Sequence, residues 1–467
     1  MLIIIICTII NRPVVPNMST HPPLSPEMTG YSTPDPLRMA FSGKTSAHVN
    51  NRPQPLTPEQ QVATWQRLMA DPGEPGKRLA YFHIPFCRTH CSYCGFFQNA
   101  SKPGLIEQYV DALIREIEIT AASPRTQARP IHAVYFGGGT PTDLTPEQIT
   151  RLGDAIRQHL PLSNDCEMTF ESRFSGLSDD KMAACMSAGF NRFSLGAQTF
   201  DTFIRRKMSR IDAREVLLER LDQLVSLDQA AVVIDLLFGL PYQTLDTWEE
   251  DLHTLINSDI HGADLYQLVL HGTSRMAKSI EKGAMPEPAD NAMKATMFLT
   301  GLDILSQHNF RRLSVSHWAR DGRERNIYNH SVKAGAEIIP FGSGAGGNIA
   351  GHGIMMHRSL EPYFGMIAAG RKPIMAMTAP KPMRQLHNVI GGGFDLGWLD
   401  MKRIQRTIGY DVATHCAPLF DAWVNNGLAE YKGDFLELTL AGQFWNINMN
   451  QGLIHYMEAS PFEELAA

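Results

Sequence analysis

The chain has 467 residues, 43% of them apolar and 19% charged, with 22 Met and 22 Phe. At ~100–200 residues per domain this allows about two to four domains with buried cores, and it excludes a small disulfide scaffold, a lone binding module and global disorder. The net charge of −6 with His neutral argues against a protein that coats nucleic acid or an acidic membrane, since both need a basic excess.

The opening run MLIIIICTII falls short of the ~20 residues of a membrane span, and neither a basic segment before it nor a small-residue cleavage site after it marks a signal peptide. It reads as a mis-called start, with Met18 the more ordinary beginning. Residues 1–55, rich in Pro, Ser and Thr, read as a disordered arm. With no other apolar run long enough to span a bilayer, the expectation is a soluble, cytoplasmic protein.

Past the arm, Thr57 caps an amphipathic helix over 58–69. Strand–loop–helix units then repeat. Strands are predicted at 79–85, 131–136, 166–171, 192–196, 231–237 and 264–270. Helices fall between them at 105–121, 146–159, 179–188, 213–227 and 247–258, with Gly189 as a stop signal. The alternation argues for a parallel sheet with crossover helices. Cys87, Gly137 to Thr140, Glu171, Gln198, Asp235 and His271 fall at or just past six successive strand ends, which favours a barrel over a doubly wound sheet with one switch point. The expected fold is α/β, a partial (β/α)6 barrel over 56–320. A Gly-rich substrate or cap segment is expected over 321–380 and a small, mainly helical accessory domain over 381–467. Within these, 287–307 reads as helix, 312–316 as strand, 341–353 as a Gly-rich turn, and 431–440 and 444–449 as strands.

Of seven cysteines, Cys87, Cys91 and Cys94 crowd into one loop in the spacing C-x-x-x-C-x-x-C. Thiolates are soft ligands that select iron–sulfur clusters, zinc or copper. Three ligands to a four-iron cube leave one iron open. Structural zinc needs a fourth donor, a role open to His83 or His90. Gly137-Gly138-Gly139-Thr140-Pro141 is by itself either a tight turn or a backbone cradle. Cys166 and Cys185 read as inert core thiols and Cys416 as a remote, poor candidate for a reactive thiol.

The stretch from Tyr81-Phe82-His83-Ile84-Pro85-Phe86-Cys87 to Cys94, with Gly137 to Pro141, Glu171, Gly196-Ala197-Gln198, Arg210, Asp235 and Phe238-Gly239-Leu240-Pro241, resembles the radical S-adenosylmethionine (SAM) superfamily, in order over residues 78–320. The nearer resemblance is to the branch of oxygen-independent coproporphyrinogen dehydrogenase and its haem-handling relatives. The resemblance implies a [4Fe-4S] cluster on Cys87, Cys91 and Cys94, with SAM chelating the open iron and yielding a 5′-deoxyadenosyl radical after one-electron cleavage. It also implies that the Gly137, Gly138, Gly139 and Thr140 backbone receives the methionine amino group and that Arg210 pairs with the carboxylate. Glu171, Gln198 and Asp235 would hold the ribose and nearby polar atoms, and Tyr81 and Tyr93 would pack by cluster and adenine. Each assignment has a plainer alternative, Glu171 and Asp235 as helix caps and Arg210 as a surface charge.

In the coproporphyrinogen enzyme the third cysteine precedes Gly and another Cys, and in the haem chaperones it precedes Asp-Phe. Here Gly95-Phe96-Phe97 stands in that place. With Glu171-Ser172-Arg173-Phe174-Ser175-Gly176 and Ser316-His317-Trp318-Ala319-Arg320, it looks most like the ChuW/HutW haem-utilisation branch. That branch implies an anaerobic methyltransferase that uses one or two SAM molecules, opens haem to a methylated linear tetrapyrrole and frees the iron. It also implies a flavodoxin-like or NADPH-linked reductase as electron donor. The alternatives are oxidative decarboxylation of coproporphyrinogen III and a haem chaperone that keeps the cluster without turnover.

A haem-sized substrate needs an apolar cleft and cations for its propionates. Candidates are Trp318 and Phe341 for the ring face, Arg320, Arg323 and Arg325 for the carboxylates, and His317, His330, His352 or His357 for the iron. Met355-Met356-His357 reads as core packing rather than an iron site. Phe341 to Gly347 reads either as a cradle for a second SAM or as a tight turn.

Overall fold

The computed structural model describes residues 22–44, 54–95, 97–381 and 383–459. The apolar opening run with Cys7 and Met18, and Phe96 of the Gly95-Phe96-Phe97 string, lie outside the described residues.

Six strands form the parallel array: β1 (Arg78–Ile84), β2 (Ile131–Gly138), β3 (Leu162–Ser172), β4 (Arg192–Gln198), β5 (Ala231–Phe238) and β6 (Gly262–Gln267), hydrogen-bonded in chain order. Their near-continuous apolar character follows from burial on both faces. Leu79, Phe82, Val134, Phe136, Phe170, Phe193 and Ile234 are all buried beneath the crossover helices. The helix Pro146–His159 coincides with its expected bounds because Thr145 and Gln148 close a capping box ahead of Pro146 at the first turn. Gly189, at φ 89°, ends the next helical unit in the left-handed region that glycine adopts without strain.

The sheet continues beyond six units. Antiparallel to β6 runs β7 (His317–Ala319), bordered by a two-residue strand, Arg311–Arg312, so the strand expected over 312–316 is largely a connection between two short ones. On the other edge β8 (Glu337–Phe341) pairs parallel with β1, and Gly346–Ile349, His352–Met356 and Ile374–Met377 extend the sheet antiparallel. The Gly-rich turn and the separate cap expected over 321–380 are therefore corrected to part of the main sheet. Glycines masked the strands: Gly347 packs its backbone so closely on Ile338 and Pro340 that a Cβ would collide.

The C-terminal part pairs Trp398–Asp400 with Phe435–Leu438 and that with Ala429–Lys432, surrounded by helices. The strand expected over 431–440 is a hairpin turning at Gly433, and that over 444–449 is helix, Asn446–Ala459. The arm is corrected in part: Pro26–Thr29 and Pro36–Met39 are short helices docked on the C-terminal part. Trp423 Nε1 donates to Met28 O at 2.8 Å and Trp445 Nε1 to Leu37 O at 3.0 Å. Composition alone missed this because two indoles elsewhere in the chain supply the anchors. No helix among the described residues is long and apolar enough to cross a membrane.

Candidate active site

The cysteine loop leaves the sheet directly after β1. Phe86–Cys87 pairs with Asn99–Ala100, which ties off the cysteine loop at its base. Cys87 and Cys91 are buried, Cys94 is partly open, and none of the three is in a disulfide. Thr140 Oγ1 donates to Cys87 Sγ at 3.3 Å, and Arg173, fixed on Thr89 at 2.9 Å, approaches the same sulfur at 3.9 Å. Burial pushes the Cys87 thiol up, while Thr140 and Arg173 work against that and favour thiolate. Backbone contacts from Ser92 N to Met208 O and from Met276 N to Ser92 O clamp the loop from two sides. The zinc alternatives are occupied elsewhere: the His83 ring lies between Tyr81 OH at 3.0 Å and Gln98 at 3.1 Å, and His90 stacks on Phe97 and bonds Cys94 O. Burial and then Arg358 hold His83 at about 4 and neutral. Among the described residues no group of three His, Cys, Asp or Glu converges as a site for a single metal ion.

Beside the loop lies Gly137-Gly138-Gly139. A Cβ on Gly139 would sit 2.5 Å from the carbonyls of Ile84 and Phe86, one on Gly137 2.5 Å from Glu171, and one on Gly138 would collide with the His83 ring. The run thus lets backbone pass against the loop and the lumen wall. Glu171 Oε2 accepts from Gly138 N at 3.3 Å, and burial raises its carboxyl. Gln198 adopts φ 70°, where a bulge shifts the register between β4 and β5, the kind of distortion that re-aims a side chain next to a site. Arg210 Nε donates to Tyr93 OH at 3.0 Å and Nη1 to Gly196 O at 2.5 Å. Despite burial, Tyr93 and Cys91 hold the guanidinium firmly charged, and burial pushes Tyr93 up to about 12. Tyr81 stacks on Tyr135 at 6.3 Å on the lumen face. Glu171, Gln198, Arg210 and Asp235 are enclosed by protein yet keep open surface, as side chains lining a chamber do.

The helix-cap and surface-charge alternatives do not describe these residues. Glu171 and Asp235 lie within strands, and Arg210 is held inside by Tyr93 and Gly196. The structure brings Tyr81, Glu171, Gln198, Arg210 and Asp235 to one lumen beside Cys87, Cys91, Cys94 and the glycines. His271, by contrast, is exposed four residues past β6.

The floor of the lumen was not foreseen as a unit. Arg192 opens β4 and bonds Glu324 at 3.0 and 3.3 Å. Glu324 accepts from His317 Nε2 at 3.1 Å, and His317 Nδ1 lies 2.9 Å from Asp264 on β6, an ion pair without the alignment of a hydrogen bond. Asp264 stands directly opposite Asp235 in the β5–β6 register. Burial opposes the His317 charge, but Asp264 and Glu324 hold it at about 9. The only sequence signal was the alternation that places Asp264 and Tyr266 on one face of β6.

Most haem candidates lie away from the lumen mouth, and these expectations are corrected. Trp318 is buried in β7, and Phe341 stacks on Phe82 at 4.5 Å beneath Lys372, so both are core. Arg320, Arg323 and Arg325 pair with Asp259, Asp228 and Asp165, at or before the amino ends of β6, β5 and β3, on the opposite rim. His317 has both nitrogens against carboxylates, and His330 faces a cavity of about 780 Å³ at the amino end of β1. That cavity lies far from the cysteines, and its buried Arg78 and Arg125 are committed to Glu337. His352 bonds Thr378 O at 3.1 Å. His357 alone lies near the site face, its carbonyl accepting from Gly344 N and Ser343 Oγ. Met356 is core and Met355 exposed. Gly342 N and Ser343 N point inward to Glu116 and Tyr109, each at 2.9 Å, as a tight turn requires. Cys166, Cys185 and Cys416 are buried, and burial raises all three thiols, Cys166 and Cys416 to about 12.

The Radical SAM superfamily profile matches residues 81–255. Anaerobilin synthase of Escherichia coli O157:H7 is 40% identical over 402 residues, 85% of this chain and 88% of that protein. The chain belongs to the radical SAM superfamily. Heme chaperone HemW of Bacillus subtilis is 29% identical over 62% of this chain and 76% of its own length. Among solved structures, coproporphyrinogen III oxidase (HemN) from Escherichia coli, a radical SAM enzyme, superposes with a TM-score of 0.72 at 22% identity, over 84% of this chain and 93% of that one. As a radical SAM protein the chain uses a [4Fe-4S] cluster and SAM. The donor set fits both groups: three cysteine thiols in one loop with no disulfide among them, a glycine run that admits no Cβ, a charged arginine and lumen carboxyls beside it.

Proposed function

We propose that this protein is an anaerobic haem-degrading radical SAM methyltransferase, which opens the macrocycle to a methylated linear tetrapyrrole and releases the iron. The observation that carries this is the 40% identity to anaerobilin synthase across 88% of that protein's length, which takes in the C-terminal part as well as the barrel. The haem-chaperone and coproporphyrinogen relatives are matched at lower identity.

In this reading Cys87, Cys91 and Cys94 hold the cluster, leaving one iron for SAM. Bound there, the two groups supply one-electron reductive cleavage of a sulfonium. The surrounding residues bind and orient. Arg210, charged and braced by Tyr93, pairs with the methionine carboxylate. The Gly137 to Thr140 carbonyls accept from the amino group, Gly138 N and Gly139 N being engaged already. Glu171, Gln198 and Asp235 accept from the ribose hydroxyls, and Tyr81 and Tyr93 wall the cluster and adenine from water. Electrons come from a flavodoxin-like or NADPH-linked reductase at the loop side, where the cysteines lie nearest the surface. Haem enters over the site face, with His357 the nearest candidate imidazole.

The test is anaerobic: protein reconstituted with iron and sulfide, supplied with haem, SAM and a strong reductant, followed by the Soret band and product masses. Bleaching with 5′-deoxyadenosine and a methylated open-chain tetrapyrrole is expected. SAM cleavage beside an unchanged Soret band would overturn the reading. Coproporphyrinogen III would then be the next substrate, and stable haem retention without SAM consumption would mark a chaperone.

A further inference from the structure

The lumen floor holds more charge than a structural plug needs. Asp264 and Asp235 are direct register partners on neighbouring parallel strands, whose spacing is about 4.8 Å, and both carboxyls belong to the lumen face. The cations below are already assigned: Arg192 to Glu324, and His317 between Glu324 and Asp264. Among the described residues the Asp235 side chain makes neither an ion pair nor a hydrogen bond, although it keeps some exposed surface. Around it stand Asp264 and Tyr266 on β6, Glu171 on β3, Arg192 on β4, Tyr135 on β2 and His317 on β7, with Arg210 above.

We propose that His317 is a positioning residue for the cofactor: through Asp264 it governs the charge of Asp235, so that binding of the cationic sulfonium of SAM is coupled to release of a proton from the Asp235 carboxyl. This rests on the reading that the lumen receives SAM. In the empty lumen, burial, Asp264 and Glu171 hold the Asp235 carboxyl at about 8, so near neutrality it carries its proton. A positive charge brought beside it favours carboxylate, and the proton passes to solvent. The ionised group then faces the cofactor as an acceptor only. His317 limits the effect, because its charge partly neutralises Asp264. Removing that charge strengthens the repulsion on Asp235, and removing the Asp264 charge relieves it.

The experiment is calorimetric titration of the anaerobically reconstituted holoenzyme, in buffers of different protonation enthalpy, with SAM and with S-adenosylhomocysteine. The second ligand chelates through the same amino and carboxylate groups but lacks the sulfonium charge. At about pH 7, SAM is expected to release nearly one proton more than S-adenosylhomocysteine. The difference should fade above the Asp235 midpoint of about 8. Asp264→Asn should move that midpoint down and His317→Gln should move it up, each by about one unit. Below the midpoint, SAM affinity should rise up to about tenfold per pH unit, while affinity for S-adenosylhomocysteine rises less. Equal proton release for the two ligands at every pH, or midpoints unmoved in both variants, would overturn the proposal. Should His317→Gln fail to fold, Asp264→Asn and the wild-type ligand pair decide it alone. A holoenzyme that binds neither ligand would overturn the placement of SAM in the lumen, and the proposal with it.

Discussion

The two ends of the lumen are built on opposite rules. At the mouth, none of the thiols of Cys87, Cys91 and Cys94 is in a disulfide, and among the described residues the Glu171 carboxyl makes no ion pair. At the floor, Arg192, Glu324, His317 and Asp264 neutralise one another through contacts of 2.9–3.3 Å. Glu171, which must meet a ligand, is left outside the ion-pair network, whereas groups that close the barrel are paired off. Variants at the mouth should therefore change chemistry with little effect on stability, whereas variants at the floor should change stability first and reach SAM only through the charge of Asp235.

The largest effect expected is at the mouth. Cys87→Ala removes a thiol that no disulfide or buried ion pair uses. Its holoenzyme should lose iron, sulfide and 5′-deoxyadenosine production to background while the denaturation midpoint barely moves, all measurable on one preparation. At the floor, Arg192→Leu leaves Glu324 buried without its main cation. Breaking such a pair costs about 3–5 kcal/mol, to be read by chemical denaturation. A stable Arg192→Leu protein, or a Cys87→Ala protein that does not fold, would erase the distinction.

This contrast also explains how much was legible in the sequence. The mouth is coded locally: three cysteines within eight residues and a glycine run after a strand announce their chemistry by spacing, and the alternation of strands and helices announces the barrel. The floor is coded across the chain. Arg192, Asp264 and Glu324 are separated by up to 132 residues, and nothing near Glu324 signals that it faces an arginine on another strand. The same blindness misplaced Arg320, Arg323 and Arg325, whose clustering in sequence suggested a propionate site although the chain carries them to the far rim. It also read 341–353 as a Gly-rich turn, because glycine signals breakage where from Gly346 onward it permits two strands to pass closely.

The pH dependence of stability sharpens the comparison. His317 is raised from 6.5 to about 9, so its contribution is full below pH 6.5 and is lost as pH rises through 9. Asp235, raised from 3.8 to about 8, also lowers stability as pH rises, in a window that closes earlier. The wild type should therefore lose on the order of 3 kcal/mol through His317 on the alkaline side. His317→Gln should flatten the decline above pH 8, measured as denaturation midpoints across pH. Glu324, which Arg192 and His317 hold at about 2 against burial, works oppositely and adds stability that disappears only as pH falls through that value. A His317→Gln protein with an unchanged alkaline limb would show that the floor is not charged as drawn.

Back at the mouth, Arg210→Lys keeps the charge but cannot bridge Tyr93, Gly196 and a carboxylate together. A charge-assisted hydrogen bond is worth about 1.5–3 kcal/mol, so SAM affinity should fall about 10- to 100-fold with stability nearly unchanged, by equilibrium titration of the holoenzyme. Unaltered affinity would remove Arg210 from the carboxylate role.

The smallest effect belongs to neither end. Arg323 pairs with Asp228 at 2.6 Å, but the two side chains are 41% and 77% exposed, and solvent screens such a pair to well under about 1 kcal/mol. Arg323→Ala should leave stability within about 0.5 kcal/mol and leave haem binding untouched, because the guanidinium lies on the rim away from the cysteine loop. Haem affinity is the sharper measurement. A drop of tenfold or more would mean that a propionate reaches the amino-terminal rim, and hence that substrate does not enter over the cluster. An unchanged value sets the cations of that rim apart from the substrate, and leaves the mouth as the place where haem must find its partners.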